Sequence, residues 1–228
     1  MSNILLQAHN IAHQFDYPLF SEVNFKLQEK ESIAIVGRSG SGKSTLLHIF
    51  STFIKPNRGK VILLDEELYP TYTDKKQFHL YEKYNDSIEQ MRRYNLGIIF
   101  QAHYLFKGMS ALMNIEIATL LAEEQIDEEL LERLEIKELM SQKIGDLSGG
   151  QQQRISIARV LSKKPKIIFA DEPTGNLDKE TAQLVMDVLL EYIEEHDAGL
   201  VLVTHDAEMA QLCNKAYRLE QKKLSELK

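Results

Sequence analysis

A glycine-rich octapeptide, Gly-Arg-Ser-Gly-Ser-Gly-Lys-Ser, occupies residues 37–44. It has the spacing of a P-loop, in which four residues separate the first glycine from a Gly-Lys-Ser triplet. Glycines let backbone N–H groups curl around a phosphate, the lysine can reach the β- and γ-phosphates, and the serine hydroxyl can ligate Mg²⁺. We therefore predict a site for a nucleoside triphosphate and Mg²⁺, with contacts from Gly37, Arg38, Ser39, Gly40, Ser41, Gly42, Lys43, Ser44 and Thr45.

Two adjacent carboxylates, Asp171 and Glu172, follow an apolar run at residues 166–170. A buried strand needs no acid at its end for packing, although a surface turn, Asp-Glu-Pro-Thr, is the alternative interpretation. At the carboxyl edge of a parallel sheet near the P-loop, Asp171 can hold Mg²⁺ through water. Glu172, one residue further on, can orient and deprotonate the attacking water. The P-loop in the same chain favours this catalytic interpretation.

A second candidate phosphate cradle, Leu-Ser-Gly-Gly-Gln, lies at residues 147–151. A helical pattern begins where its glycines end, so the segment can present N–H donors at a helix N-terminus. An ordinary capped turn would have the same sequence pattern. One nucleotide needs one cradle, so a second makes sense if it grips a nucleotide bound to another subunit. The residues that we expect to contact that nucleotide are Ser148, Gly149, Gly150 and Gln151.

Short apolar runs alternate with helical patterns and predict the elements that position these residues. Nearly all-apolar strands, typical of a parallel sheet covered on both faces, are expected at residues 32–36, 96–100, 166–170 and 200–203. Helices are expected at residues 43–52, 128–140, 150–162 and 179–195.

The fold class that follows is α/β, in one domain over residues 1–228. Loosely alternating, aromatic-rich residues 4–27 predict a small antiparallel layer beside the mostly parallel sheet. Residues 102–146 are mostly helical in pattern and acidic, which predicts a helical subdomain inserted between the core segments 1–101 and 147–228.

Composition limits the class of partner and the compartment. The 27 basic and 34 acidic residues give a net charge of −7, which disfavours nucleic acid as a partner. The single cysteine, Cys213, excludes an intramolecular disulfide framework and indicates a reducing compartment. The first residues lack the pattern of a secretory signal, and the longest apolar runs have strand length. We therefore expect a cytoplasmic protein without a membrane span.

With these motifs in this order, the chain resembles the ATP-binding subunits of ABC transporters over essentially its whole length. The resemblance implies that Gln101 touches Mg²⁺ and senses a membrane partner, and that His205 contacts the γ-phosphate. It implies that Asp178, at the end of Gly-Asn-Leu-Asp, belongs to a loop that crosses a dimer interface. It also places an adenine-stacking aromatic at Phe15, with Tyr17 as the alternative.

The same resemblance implies an ATPase that works as a head-to-tail dimer, with a second copy of the chain as the expected partner. ATP held by the P-loop of one subunit would be covered by Ser148 and Gly150 of the other. It also implies integral membrane permease subunits that dock on the helical insert, and a peripheral location at the cytoplasmic face of the inner membrane.

Two segments narrow the resemblance to one branch of the family. Residues 100–106, Phe-Gln-Ala-His-Tyr-Leu-Phe, and residues 171–178 resemble the lipoprotein-releasing, macrolide-exporting and cell-division ATPases. His103 and the short chain favour lipoprotein release, and a regulatory ATPase of the cell-division type stays the alternative. Lys30 departs from the family, which usually has glycine at this position. The polar, tyrosine-rich residues 66–95 are also longer than usual and are either a solvated helix with a connection or a partner-contacting surface.

Overall fold

The computed structural model describes residues 3–69 and 78–227. Its strands are β1 (Ile4–Gln14), β2 (Pro18–Gln28), β3 (Ser32–Val36), β4 (Arg58–Leu63), β5 (Glu66–Leu68), β6 (Leu96–Ile99), β7 (Ile167–Asp171), β8 (Gly199–Thr204), β9 (Lys215–Glu220) and β10 (Lys223–Glu226). Its helices are α1 (Lys43–Phe50), α2 (Phe78–Gln90), α3 (Ala111–Ala122), α4 (Glu128–Arg133), α5 (Gly149–Leu161), α6 (Lys179–Glu195) and α7 (Ala207–Gln211). None of these helices has the length and apolar character that crossing a bilayer requires.

A six-stranded sheet in the described residues has the order β10-β9-β3-β8-β7-β6. The pairs from β9 to β6 are parallel, and only β10 pairs antiparallel, with β9. In register, Val36 lies opposite Thr204 and Asp171 lies opposite Val203. The carboxyl ends of these strands therefore meet at one edge, and the predicted α/β class with a mostly parallel sheet is confirmed.

Each face of this sheet packs against a different layer. Leu200 and Leu202 of β8 belong to a core shared with α5 and α6, whereas Val201 and Val203 face a core shared with α1 and the N-terminal strands. Successive side chains of a strand point to opposite faces, so a strand buried on both faces must be apolar throughout. This explains why the predicted strands read as continuous apolar runs.

The N-terminal antiparallel layer is confirmed, and it is larger than the sequence indicated. It has the strand order β2-β1-β4-β5 in the described residues, so residues from 58 to 68 join the predicted pair. Asn57 ties the far end of β1 in place: its N–H donates to Ala12 O at 3.0 Å, and its Oδ1 accepts from Gln14 N at 2.7 Å. These bonds fix the strand end that leads to Phe15 and Tyr17.

The segment at residues 102–146 carries α3 and α4, but the single helix predicted at residues 128–140 is wrong. The helix ends at Arg133, and a short 3₁₀ turn, Lys137–Leu139, follows. Glu135 has a φ of 53°, which turns the chain so that both Leu134 and Ile136 become fully buried. A continuous helix would point two residues of this spacing in different directions.

Lys30 stands where we expected glycine from the resemblance, and it adopts the left-handed conformation that glycine favours, with a φ of 59°. Two contacts hold it there, because its N–H donates to Ala198 O at 2.7 Å and its ammonium lies 3.2 Å from the Asp197 carboxylate.

Three tyrosines of the polar segment at residues 66–95 make contacts within the chain. Tyr84 Oη accepts from the Tyr69 N–H at 2.9 Å, Tyr69 Oη donates to Ile49 O at 3.0 Å, and Tyr94 Oη donates to Glu123 Oε1 at 3.0 Å. The segment forms β5, α2 and a π-helical turn, Met91–Asn95. Tyr72 and the side chain of Tyr81 lie outside the described residues, so the partner-surface alternative stays a prediction.

Gly59 provides a test of how the N-terminal layer is held. Its φ is 94°, and a Cβ there would lie 2.6 Å from the carbonyl oxygens of His9 and Asn10. We expect Gly59→Ala to lower the free energy of unfolding by about 2 kcal/mol, because both backbone strain and a clash with β1 would result. Urea denaturation measures the loss. Gly108→Ala is the control, since a Cβ there meets nothing within 4 Å; equal stability of the two variants would contradict the packing described.

Candidate nucleotide-binding site

The P-loop connects β3 to α1 through two glycines in the left-handed region. Gly40 has a φ of 77° and Gly42, the residue before α1, a φ of 98°. A Cβ on Gly42 would also lie 3.1 Å from Phe20 Cδ1, so the loop packs closely against β2. The first N–H groups of α1 have no intrahelical partner, and the helix dipole makes this end favourable for an anion.

Lys43 lies folded against the loop that it belongs to. Its residue is only 8% exposed, and its Nζ donates to Gly37 O at 2.9 Å and to Arg38 O at 3.2 Å. Both acceptors are carbonyl oxygens of the P-loop itself. The ammonium is therefore already placed where a phosphate oxygen can replace a carbonyl as its partner.

A cavity of about 520 Å³ opens beside the P-loop and brings together residues from distant parts of the sequence. It is lined by Phe15, Tyr17, Leu19, Ser39, Gly40, Gly42, Lys43, Ser44, Thr45, Gln101, Asp171, Glu172 and His205. A neighbouring cavity also reaches His205 and is lined by Gly37, Arg38 and Ser41 among others. Residues of the P-loop therefore line both cavities.

Ser44 and Asp171 are hydrogen-bonded to each other and both line the cavity. Ser44 Oγ donates to Asp171 Oδ1 at 3.1 Å. Burial raises the pKa of Asp171, and the hydrogen bond from Ser44 opposes this rise. Gln101 lines the same cavity, so the side chains available there include a hydroxyl, a carboxylate and an amide, the oxygen types that Mg²⁺ prefers. The residues present therefore fit Mg²⁺.

Glu172 is held by both oxygens of its carboxylate. Oε2 accepts from Thr204 Oγ1 at 3.1 Å, and Oε1 lies 2.8 Å from His205 Nδ1. Its backbone has a φ of 49°, and its N–H donates to Val203 O at 2.8 Å. The Glu172 side chain is 13% exposed and that of His205 is 71% exposed. The carboxylate is thus fixed, while the imidazole faces the opening.

Thr204 was not predicted from the sequence to contact Glu172. It is fully buried at the end of β8, donates to Glu172 Oε2 and accepts from the Asp206 N–H at 3.0 Å. A hydroxyl that ends an otherwise apolar strand was the available signal, and it is the same kind of signal that drew attention to Asp171. Leu19, on the cavity wall, had no such signal because it also reads as a strand residue.

The second glycine-rich segment does not line this cavity. Ser148 caps α5: its Oγ accepts from Gln151 N at 3.3 Å, and its own N–H donates to Gln151 Oε1 at 2.9 Å. This reciprocal pair is a capping box. Ser148 and Gly149 are exposed and Gly150 is half-buried, so the segment presents a helix N-terminus at the surface.

Asp178 is also a helix cap outside the cavity. Its Oδ1 accepts from Thr181 N at 3.0 Å and its Oδ2 from Thr181 Oγ1 at 2.7 Å, at the start of α6. These hydrogen bonds, led by that from the Thr181 N–H, lower the pKa of Asp178. The nucleotide contacts expected of Asp178 and of residues 148–151 are therefore not made within one chain and stay predictions.

The fold and the site together define an ATP-binding cassette, and comparison with known proteins agrees. Residues 20–175 match the family described as ABC transporter, which covers more than half of the chain. The chain belongs to this family and is an ABC-type ATPase.

The similar proteins indicate which kind of ABC ATPase the chain resembles. The chain is 37% identical over 231 residues to the lipoprotein-releasing system ATP-binding protein LolD of Protochlamydia amoebophila, covering 96% of this chain and 95% of that protein. The LolD of Rickettsia conorii is 36% identical over 236 residues, covering 99% of each. Among solved structures, the dimeric bacterial ABC transporter cassette MJ0796 superposes with a TM-score of 0.82 at 29% identity, over 98% of this chain and 99% of that chain. A dimeric post-hydrolysis state of MJ0796 bound to ADP and Pi has a TM-score of 0.83 at 28% identity, with the same coverage.

Thr204→Val tests whether the buried hydroxyl positions Glu172. The change removes one hydrogen bond to the carboxylate and leaves the Asp206 N–H without its acceptor. We expect kcat for ATP hydrolysis to fall about tenfold and the free energy of unfolding to fall by about 1–2 kcal/mol. Steady-state kinetics and urea denaturation measure the two effects. Thr204→Ser keeps the hydroxyl and is the control; a Val variant that hydrolyses ATP as fast as the Ser variant would show that Thr204 has no such role.

Proposed function

We propose that this chain is the ATP-hydrolysing subunit of a lipoprotein-releasing ABC transporter. It would act with integral membrane permease subunits, at the cytoplasmic face of the inner membrane. The observation that carries the proposal is the convergence of the P-loop, Gln101, the Asp171–Glu172 pair and His205 on one cavity. The near full-length similarity to LolD proteins, named for the lipoprotein-releasing system, supports the particular type.

The residues that line the cavity can bind both the triphosphate and the adenine ring of ATP. Lys43 exchanges the carbonyl oxygens of Gly37 and Arg38 for phosphate oxygens, and the N–H groups around Gly40 and Gly42 donate to the same anion. Phe15 and Tyr17, at 56% and 62% exposure, also line the cavity, and Phe15 is our choice for the aromatic that stacks on adenine. Ser44, Gln101 and Asp171 would hold Mg²⁺, which supplies charge neutralisation on the phosphates.

Glu172 is the general base for hydrolysis. The oxygen of a water molecule bonds to the γ-phosphorus, the bond from that phosphorus to the bridging oxygen of ADP breaks, and the water proton passes to Glu172. Thr204 and His205 hold the two carboxylate oxygens, so the base is oriented before the water arrives. His205 is exposed enough to turn from Glu172 toward the γ-phosphate.

A second copy of the chain completes the site. Ser148, Gly149, Gly150 and Gln151 form an N-terminal helix cap that one chain does not bring to its own cavity, and Asp178 caps another helix at the surface. Placed over the partner's P-loop, this cap would supply N–H donors to the phosphates from the open side. The similar cassette MJ0796 is described as a dimer. ATP would bridge the two chains, and its hydrolysis would release them.

The membrane partner would dock on the helical insert. This segment exposes several large apolar side chains: Tyr104, Phe106, Met113, Leu120 and Leu121. Phe53, after α1, is also 50% exposed. Contiguous exposed apolar side chains are typical of an interaction surface. Gln101 lines the cavity and directly precedes this segment in the chain, so docking would be coupled to the position of its amide.

Glu172→Gln tests both the role of Glu172 as general base and the ATP-dependent dimer. The amide cannot take the proton but keeps the shape of the site, so we expect ATP to bind while kcat falls by about 10²–10³-fold. Size-exclusion chromatography with Mg²⁺ and ATP should then show an ATP-dependent dimer. The matched control is Glu172→Gln combined with Lys43→Ala, which should stay monomeric because the triphosphate loses its main cation. A Glu172→Gln protein that stays monomeric with ATP bound would contradict the proposal.

Co-purification from membranes tests which membrane protein the chain binds and through which surface. We expect the tagged chain to retain a membrane protein with a large periplasmic domain, and Leu120→Glu to abolish this because it places a charge in an apolar interface. Leu227→Glu, an exposed leucine beyond β10, is the control and should retain the partner. Recovery of a cell-division membrane protein instead would identify the regulatory type and overturn the assignment to lipoprotein release.

A further inference from the structure

We infer that His13 positions Phe15 as the platform for the purine base, an inference that rests on the proposed binding of ATP. His13 belongs to β1, and Phe15 lies two residues further on, in the bend that follows the strand. Their rings meet at a centroid distance of 4.8 Å with an interplanar angle of 84°. Edge-to-face contact of this kind is favourable for aromatic rings and restricts the orientation of both.

The surroundings of His13 indicate that its ring, not its hydrogen-bonding groups, determines its role. The residue is 6% exposed, and neither ring nitrogen has a hydrogen-bond partner among the described residues. Burial lowers the pKa of His13, which favours the neutral ring. A buried histidine without polar partners acts as a flat apolar group, and such a group can support a neighbouring ring.

The His13 ring lies beside the buried ring of Phe20. It lies opposite Phe20 across the β1–β2 pair, with their ring centroids 6.3 Å apart. Phe20 is 1% exposed and is the side chain that a Cβ on Gly42 would meet. Successive ring contacts therefore connect the P-loop with Phe15 through Phe20 and His13. The distance from the phosphate cradle to the aromatic platform is set by packed side chains along this path.

Tyr17, the alternative platform, lacks this support. Its carbonyl accepts from the Phe15 N–H at 3.3 Å, but among the described residues it takes part in no ring contact. It is also more exposed than Phe15, at 62% against 56%. A ring that is already oriented loses less conformational entropy when a base stacks on it. The support from His13 therefore favours Phe15 over Tyr17 as the stacking residue.

Two substitutions of similar volume at His13 distinguish an effect of its aromatic ring from an effect of the volume that it fills. His13→Phe keeps an aromatic edge against Phe15, whereas His13→Leu fills the position without one. Isothermal titration calorimetry with Mg·ATP should give a Kd about fivefold weaker for His13→Leu and within about twofold of the parent for His13→Phe. Inorganic tripolyphosphate, which has no base, should bind the parent and both variants equally. An unchanged ATP Kd for His13→Leu, or an equal loss for tripolyphosphate, would overturn the inference.

A double-mutant cycle with Phe15→Ala tests whether His13 acts through Phe15. We expect Phe15→Ala to weaken ATP binding about tenfold, and His13→Leu to add less than about twofold in that background. Additive losses would show that His13 does not act through Phe15. The cycle also separates this inference from the proposed function. If the parent binds no ATP, the nucleotide assignment itself fails; if Phe15→Ala has no effect, the choice of Phe15 fails; if only the coupling is absent, His13 alone loses its role.

Discussion

The parallel register of the central strands is the constraint on which the site depends. Val36 pairs with Thr204 and Asp171 with Val203, so β3, β7 and β8 end at the same level. The P-loop follows β3, Asp171 ends β7 with Glu172 directly after it, and His205 follows β8. A slip of one residue in any pairing would exchange the side chains that face the two cores, and the close packing of both cores makes such a slip costly. The core therefore holds the catalytic groups in place.

The chain gives its two neighbouring carboxylates different partners. Asp171 faces Ser44 on the side of the P-loop, and Glu172 faces Thr204 and His205 on the other. Consecutive residues of a strand point to opposite sides, and the positive φ of Glu172 ends the strand there. Separate partners suit separate tasks, because a metal ligand and a general base need different surroundings. The adjacent acids in the sequence thus correspond to two distinct hydrogen-bonded groups.

Sequence alone was sufficient for the features that follow from local pattern. The apolar runs predicted β3, β6, β7 and β8, but not β9, which also pairs in parallel and is only partly apolar. The P-loop spacing indicated residues that the cavity does bring together. Features that depend on tertiary contacts were not accessible in this way. The left-handed turn at Glu135 follows from the burial of Ile136, and the addition of β4 to the N-terminal layer follows from its pairing with β1. The bond from Thr204 to Glu172 joins residues 32 apart in the sequence.

A site that is incomplete within one chain is the central feature of this account. The P-loop cavity holds the groups that we propose for ATP binding and for proton transfer, but the glycine-rich cap that begins at Ser148 is exposed. The most direct measurement is an experimental structure of the Glu172→Gln protein with Mg·ATP. We expect a two-fold dimer in which Ser148 of each chain contacts the triphosphate held by Lys43 of the other. A structure in which ATP occupies the P-loop while Ser148 faces solvent in every assembly would contradict it.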